Sequence, residues 1–378
     1  MGKRDQRYHS LDRAHCSADD QAQWVIWNRK SEKGIMKGRY DDENLKWIPV
    51  LILAIFLFPF ILKGATSSYK YYLYVLNIAG IYMILTIGLD LLSGFTGLMS
   101  LGHAAFLAIG AYSSAILVDQ VGIPFELSIF ISPVIAGLFG LVIGFPALRI
   151  EGMYLGLTTM GFGFIVKRLI IALREWTGGS AGMPVSKATI FGFTINNDWD
   201  NYFMIYSFVI ISVIIARRIV ISKLGRAFMA IRDSEQAAQA SGINLAKYKM
   251  LSFFISGLFA GFAGVLFAHT SHFISTDHFD ILLSIYFIVM VLIGGAGSIY
   301  GAVLGTLFIV LMENLFIPLF KDGLAKYIHL EAGDFQAFIF GFIMLLFIIF
   351  QPLGLYGMWL KIRIYWKLFP FNPRRRST

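Results

Sequence analysis

Cysteine is almost missing. Cys16 has no second cysteine to pair with, which excludes an intramolecular disulfide. Charge is scarce as well: 15% of the residues are Asp, Glu, Lys or Arg, against about 25% in soluble domains. Together with 57% hydrophobic residues and a mean hydropathy of +0.68, that deficit excludes an ordinary water-soluble core. No G-x4-G-K-[ST] occurs, so the chain has no Walker A phosphate cradle of its own. H-E-x-x-H and G-x-S-x-G are absent too, which removes the common zinc-protease and hydrolase signatures. The first 46 residues are polar with no apolar h-region near the start, so no cleavable signal is expected.

What the chain has in abundance is long apolar runs. Ten approach or reach the roughly 20 residues that cross a bilayer. They fall at about 47–62, 71–92, 98–118, 126–148, 152–173, 202–221, 250–269, 281–294, 298–316 and 335–357. The runs are continuously apolar rather than alternating, so helices are expected and a barrel is not. The segments at 98–118 and 281–294 are the ones that partial spans would explain equally well. The fold class is therefore an all-α polytopic membrane protein with about ten spans; eight would also satisfy parity.

Basic residues set the orientation. They gather in residues 1–46, in 216–249 and in the tail 361–378, while Val118–Phe125 and His269–Asp280 are poor in Lys and Arg. The positive-inside rule puts all three basic regions, and both termini, in the cytoplasm. Six spans before the middle region and four after it give the same answer. The formal charge of +9 thus reflects span-flanking segments and not a nucleic-acid surface. Residues 1–46 read as a polar cytoplasmic extension, 47–360 as the membrane domain and 361–378 as a basic tail. Within the extension, Trp24, Ile26 and Trp27 beside Arg29 and Lys30 fit either an interfacial helix or a solvated tail.

The polar island Ser222–Met250 stands between two apolar runs and must lie in water. Asp233 is expected to N-cap a helix with Ser234 first and Gln236 third, a capping-box arrangement. Ala237, Ala238 and Ala240 favour helix, and Gly242 suits the left-handed position that ends it. Such a helix is too short to be stable alone. It rests on its own protein, on the bilayer or on a soluble partner.

Inside the membrane, Gly297, Gly301 and Gly305 recur every fourth residue and are expected to form one smooth packing face, with Gly257 and Gly261 forming another. Gly94–Gly102 and Gly294–Gly297 are too glycine-rich for helix interior. They are expected to be broken backbone, which survives at depth only where protein or a water-filled path covers it. Asp90, Ser93, Thr96, Ser100, Thr158, Thr159 and Ser256 are the candidates for lining a translocation route. Each hydroxyl could equally bond its own helix backbone. Asp90 falls near the cytoplasmic end of its span and Lys167 deep along another, a depth mismatch that argues against their pairing. His269, His272, Asp277 and His278 offer metal-ligand residue types, but on a loop placed outside, H-x2-H has low specificity. No metal site or cofactor is expected. His103 reads as a helix-start or packing residue.

The island resembles the cytoplasmic EAA loop of bacterial ABC importer permeases, in which a small-residue helix followed by glycine fits a cleft on the ATPase. Aligned on Gly242, Gln236, Ala237 and Ala238 take the EAA places, and Glu235 lies one position early. Residues 71–316 resemble the M-type branched-chain amino acid ABC permease family. The resemblance rests on GLDLLSGFTGLMSLGHAAFLAIGAY (Gly88–Tyr112), LRIEGMYLGLTTMGFGFIV (Leu148–Val166), TGGSAGM (Thr177–Met183), GRAFMAIRDSEQAAQASGIN (Gly225–Asn244) and SIYFIVMVLIGGAGSIYGAVLG (Ser284–Gly305), in that order. Asp90 departs from the family's usual Asn, and Phe164 from a frequent acid.

The resemblance implies an ABC importer permease fold in the bacterial inner membrane, working by alternating access. Its implied partners are a companion permease, two ATP-binding subunits and a periplasmic solute-binding protein. The coupling loop would be Arg226, Asp233, Glu235, Gln236, Ala237, Ala238 and Gly242, with Ala238→Arg uncoupling it without unfolding the bundle. Urea and short-amide permeases share much of the pattern, so the family is implied more firmly than the cargo. An ATP-independent channel or carrier is the rival class, and a membrane enzyme a third.

Overall fold

A computed structural model describes residues 68–316 apart from 151, 191 and 196, residues 354–368, and a few isolated positions before and between. Nearly all of the expected spans at 47–62 and 335–357, the extension 1–46 and the last ten residues of the tail lie outside the described residues. The chain divides into residues 52–359 and a second unit of 1–51 with 360–378; of the second, only the end of one helix is described.

The long helices are α1 (Tyr69–Asp90), α2 (His103–Asp119), α3 (Phe125–Gly144), α4 (Met153–Ala172) and α5 (Asp198–Ile221). The island folds as α6 (Lys223–Asp233) and α7 (Glu235–Ala240), and then come α8 (Leu245–Ser271), α9 (Ile281–Gly294) and α10 (Ile299–Leu311). The last described helix, α11, is Gly354–Leu368. Short strands β1 (Met183–Pro184) and β4 (Phe273–Ile274) pair antiparallel, as do β2 (Thr189–Ile190) and β3 (Phe193–Thr194). They join the connections at the end of the bundle opposite the island.

Among the described residues, five helices are long and apolar enough to cross a membrane: α1 with its continuation to Phe95, α3, α4, α5 and α8. A sixth arises if α9 and α10 count as one bent span. Of the ten expected spans, those at 47–62 and 335–357 lie almost wholly outside the described residues, and those at 98–118, 281–294 and 298–316 are shorter than a full crossing for physical reasons. The glycine-rich stretch after Phe95 delays α2 until His103, leaving 17 residues, or about 25 Å of helix. Helices α9 and α10 bend by 118° across Gly295–Ser298. Gly295 (φ 109°) and Gly297 (φ 75°) hold backbone there that a Cβ would strain.

Helix α8 is the central post, packed on α3, α2 and α1, while α1 also carries α5, α9 and α10. Lipid provides no hydrophobic drive between helices, so close backbone approach must hold them together. Gly257 and Gly261 supply it as expected: Gly257 lies on the Ala136 carbonyl and Gly261 on Ala136 and Pro133 of α3. Gly110 of α2 presses on the Gly261 carbonyl. Gly301 and Gly305 pack on Gly294 of α9, but Gly297 belongs to the break and not to that face, because its positive φ takes it out of the helix.

A Gly110→Leu substitution should therefore destabilise the bundle by about 3 kcal/mol or more, since the obstacle is backbone and cannot rotate away. Gly161→Ala on α4, where a Cβ meets nothing, should be neutral or stabilising in the isolated chain. Thermal melting in detergent checks both.

Candidate functional site

The island begins where Ser222 caps α6 by accepting the Leu224 amide at 3.1 Å. Helix α6 is amphipathic and buries Gly225, Ala227, Phe228 and Ile231, leaving Arg226 exposed. Ser234, rather than Asp233, caps α7: its Oγ accepts the Ala237 amide at 3.3 Å. Asp233 instead ends α6, and its Oδ1 receives Arg232 Nε and Nη2 at 3.3 and 3.2 Å. With Ser234 as cap, the third helical place holds Ala237, which has no acceptor, so the expected capping box does not form. The end is as anticipated: Gly242 takes φ 82° and donates to the Gln239 carbonyl at 2.9 Å.

Six residues of α7 cannot hold themselves in helix. Two anchors do it. Ala238 is buried, at 3% exposure. Glu235 accepts Lys249 Nζ of α8 at 2.6 Å, with the lysine side chain only 2% exposed. The Glu235 carboxylate is 28% exposed, so removing it costs about 1–3 kcal/mol. Ala238 therefore points into the protein, and Ala238→Arg would disturb packing as well as any docking. The outward face is Gln236, Ala237, Gln239 and Ala240. A cleft of about 650 Å³ opens beside it, with Glu235, Gln239, Asn244 and Lys249 among its walls.

Both glycine-rich stretches are broken, and they meet. After α1 the chain makes a π turn, Leu91–Phe95, and runs without helix to His103. The backbone of Gly94 abuts Gly297, whose amide donates to Asp90 Oδ1 at 2.6 Å. Asp90 is fully buried at this junction. Lys167 lies elsewhere, 3.7 Å from both Asp277 and Asp280, so Asp90 and Lys167 do not pair. Asp277 is well exposed and Lys167 partly so, and this pair contributes at most about 1 kcal/mol.

Helix α2 starts inside the bundle, where an unpaired amide would cost several kcal/mol. Side chains meet that need. Leu101 N donates to Thr159 Oγ1 at 2.8 Å and Ala104 N to Ser284 Oγ at 2.9 Å. His103 joins Ser256 through Nε2 at 2.6 Å and Ser100 through Nδ1 at 3.1 Å. Of the seven route candidates, Asp90, Ser100, Thr159 and Ser256 thus gather at the two breaks. Ser93, Thr96 and Thr158 bond backbone carbonyls four or five residues back in the chain, those of Leu89, Leu91 and Tyr154. Thr158 is also only half-buried, on α4.

Sequence reasoning passed over Ser284, the Thr86–Thr306 hydroxyl pair at 2.7 Å, and Glu313, which receives the Tyr286 hydroxyl. Glu313, a single acid in an otherwise apolar run, was a visible signal. His103, read as a helix start, is also the hub that ties α2 to α8.

The four loop residues with metal-ligand chemistry go separate ways. His269 Nδ1 donates to the Ser186 carbonyl at 2.7 Å, so its Nε2 accepts from Ser114 at 2.9 Å. His272 is kept below the usual imidazole range by burial, with Lys187 adding to the effect, and is neutral at pH 7. His278 folds back on the Ser275 amide at 3.4 Å. Asp277 faces Lys167. Among the described residues no three His, Cys, Asp or Glu side chains converge on a metal-sized site.

Comparison with known proteins bears on this geometry. The family profile described as branched-chain amino acid transport system / permease component matches residues 71–348. The chain is 30% identical over 340 residues to the high-affinity branched-chain amino acid transport system permease protein LivM of Escherichia coli K12, covering 84% of this chain and 75% of that protein. It is 22% identical over 313 residues to a probable branched-chain amino acid transport permease protein LivM of Methanocaldococcus jannaschii, covering 73% and 90%. The autoinducer 2 import system permease protein LsrC of Salmonella paratyphi B is 24% identical over 289 residues, covering 71% and 77%. No solved structure matches the chain.

Proposed function

The chain belongs to the family of branched-chain amino acid transport permease components, and we propose that within it this is one membrane-spanning half of an ATP-driven importer of leucine, isoleucine and valine. The companion permease, two ATP-binding subunits and a periplasmic binding protein complete the assembly, in a bacterial inner membrane. The island and both termini face the cytoplasm, in keeping with their Lys and Arg. Residues 47–360 form the translocating domain, 1–46 the cytoplasmic extension and 361–378 the tail.

The observation that carries this reading is α7: a six-residue helix anchored on one face and bare on the other. The bare face fits a cleft on an ATP-binding subunit. Arg226, Asp233, Glu235, Gln236, Ala237, Ala238 and Gly242 build and hold that lever. Binding energy from ATP and the partners must favour one permease state over the other, since a ligand shifts an equilibrium only by its differential affinity. The breaks near Asp90 and Ser100 interrupt the helices inside the bundle, and in this reading they supply the moving parts of alternating access. Ser93, Thr96, Ser100, Thr158, Thr159 and Ser256 remain the candidates along the route.

Uptake of labelled leucine by vesicles holding the whole assembly tests the reading. Unlabelled leucine, isoleucine and valine should each compete, urea should not, and removal of ATP should stop uptake. Competition by urea or acetamide alone would reassign the cargo to small amides. Uptake without ATP would place the chain among channels or carriers.

A further inference from the structure

We propose that Arg232 is the positioning residue through which movement of the α7 lever reaches both broken membrane segments. Its Nη1 donates to the Gly94 carbonyl at 3.0 Å, and its stem lies over Gly97. Gly94 lies in the last turn of the helical run begun at Tyr69, which ends at Phe95, and a guanidinium at that end meets carbonyls the helix leaves unpaired, where its dipole is negative. Asp233 holds the other edge of the fork through Nε and Nη2. Arg232 is thus oriented by the residue next to the lever's cap, Ser234, and grips the first break. From there the linkage is backbone to backbone. Gly94 abuts Gly297, and the Gly297 amide is fastened to Asp90 Oδ1. Only Asp233 and Ser234 separate Arg232 from the lever's first residue, and the first break leads straight into α2.

The chemistry suits transmission better than static packing. The guanidinium offers donors in a rigid plane, so carboxylate and carbonyl are held at fixed angles. Gly97 (φ 79°) gives the gripped segment backbone freedom that a regular helix lacks. Lys249 fastens the lever to α8, whose body is locked in the core, so the break is the more yielding of the lever's two attachments. A displacement of α7 is therefore passed to the segment 94–102 and from it to the α9–α10 bend.

This inference rests on the reading of α7 as a lever for an ATP-binding subunit. The test uses the complete assembly with Cys16→Ser and Met99→Cys, because Met99 is exposed within the first break. Maleimide labelling of the introduced cysteine is followed with and without ATP plus vanadate, alongside leucine uptake. In the parent assembly nucleotide should change the labelling rate several-fold. In Arg232→Ala the permease should still co-purify with its ATP-binding subunits, the nucleotide response should vanish, and uptake should fall by about ten-fold or more. Arg232→Lys, which keeps a cationic donor but not the planar fork, should restore part of both. A residue that only glued the fold would lower yield and leave the response intact in the molecules that survive.

A persisting nucleotide response in Arg232→Ala overturns the inference. So does a parent assembly with ATP-dependent uptake whose introduced cysteine ignores nucleotide. Uptake that is independent of ATP overturns the lever reading itself, and the inference with it.

Discussion

An Ala237→Arg chain should insert at normal levels, keep its helices and lose transport. Ala237 sits on the bare face of α7 beside Gln236 and Ala240, where its side chain is exposed. A guanidinium there projects into whatever covers that face. If an ATP-binding subunit does, losing about 2 kcal/mol or more of docking energy lowers uptake at least about 30-fold. The trivial alternative is that arginine near a helix N-terminus unravels α7, an effect of about 0.3–1 kcal/mol. Ala237→Glu separates the two, because an acid near that terminus is favourable. Docking loss predicts that both variants fail in uptake and in pull-down of the ATP-binding subunits. Helix unravelling predicts that only arginine does. Normal uptake by both variants, inserted at parental levels, would remove α7 from the mechanism. Ala238 is the wrong place for this experiment, since it is already enclosed.

Asp90→Leu should be poorly tolerated. The carboxylate fastens the Gly297 amide where two breaks meet, in a fully buried place. Leucine removes the acceptor and leaves a buried amide with no partner, a loss of about 3 kcal/mol or more. Melting in detergent should drop sharply and uptake should disappear. Asp90→Asn retains an oxygen that can accept and should fall between leucine and the parent. If Leu and Asn behave alike, the hydrogen bond to Gly297 is not what makes Asp90 matter.

Much of this was legible before any coordinates. Apolar runs announce membrane helices because lipid tolerates few other sequences, and the glycine-rich pair of stretches announced breaks because glycine is a poor helix former that tolerates positive φ. Gly242 could be named as the end of α7 for the same reason. Helix caps were less legible. Asp233 and Ser234 are both good caps, and nothing local chooses between them. The choice fell to Ser234 because α6 extends through Asp233, whose carboxylate is taken up by Arg232. The four-residue spacing of Gly297, Gly301 and Gly305 looks like one helix face, yet the first of the three lies beyond the helix start. Ser298 caps that start by accepting the Gly301 amide at 3.2 Å. Spacing reports a face only while the helix continues.

Sequence alone determined the apolar runs, the permease family and the place of the polar helix pair between them. These depend on local composition and on order along the chain, which need no partner residues to be read. Tertiary structure alone decided which polar groups meet: His103 with Ser256, Asp90 with Gly297, Glu235 with Lys249, and Arg232 with Gly94. Those pairs lie 14 to 207 residues apart. Inside a bilayer each polar group must find some partner, but which one depends on how the helices stack. That is set by many small contacts at once, and no single stretch of sequence carries it.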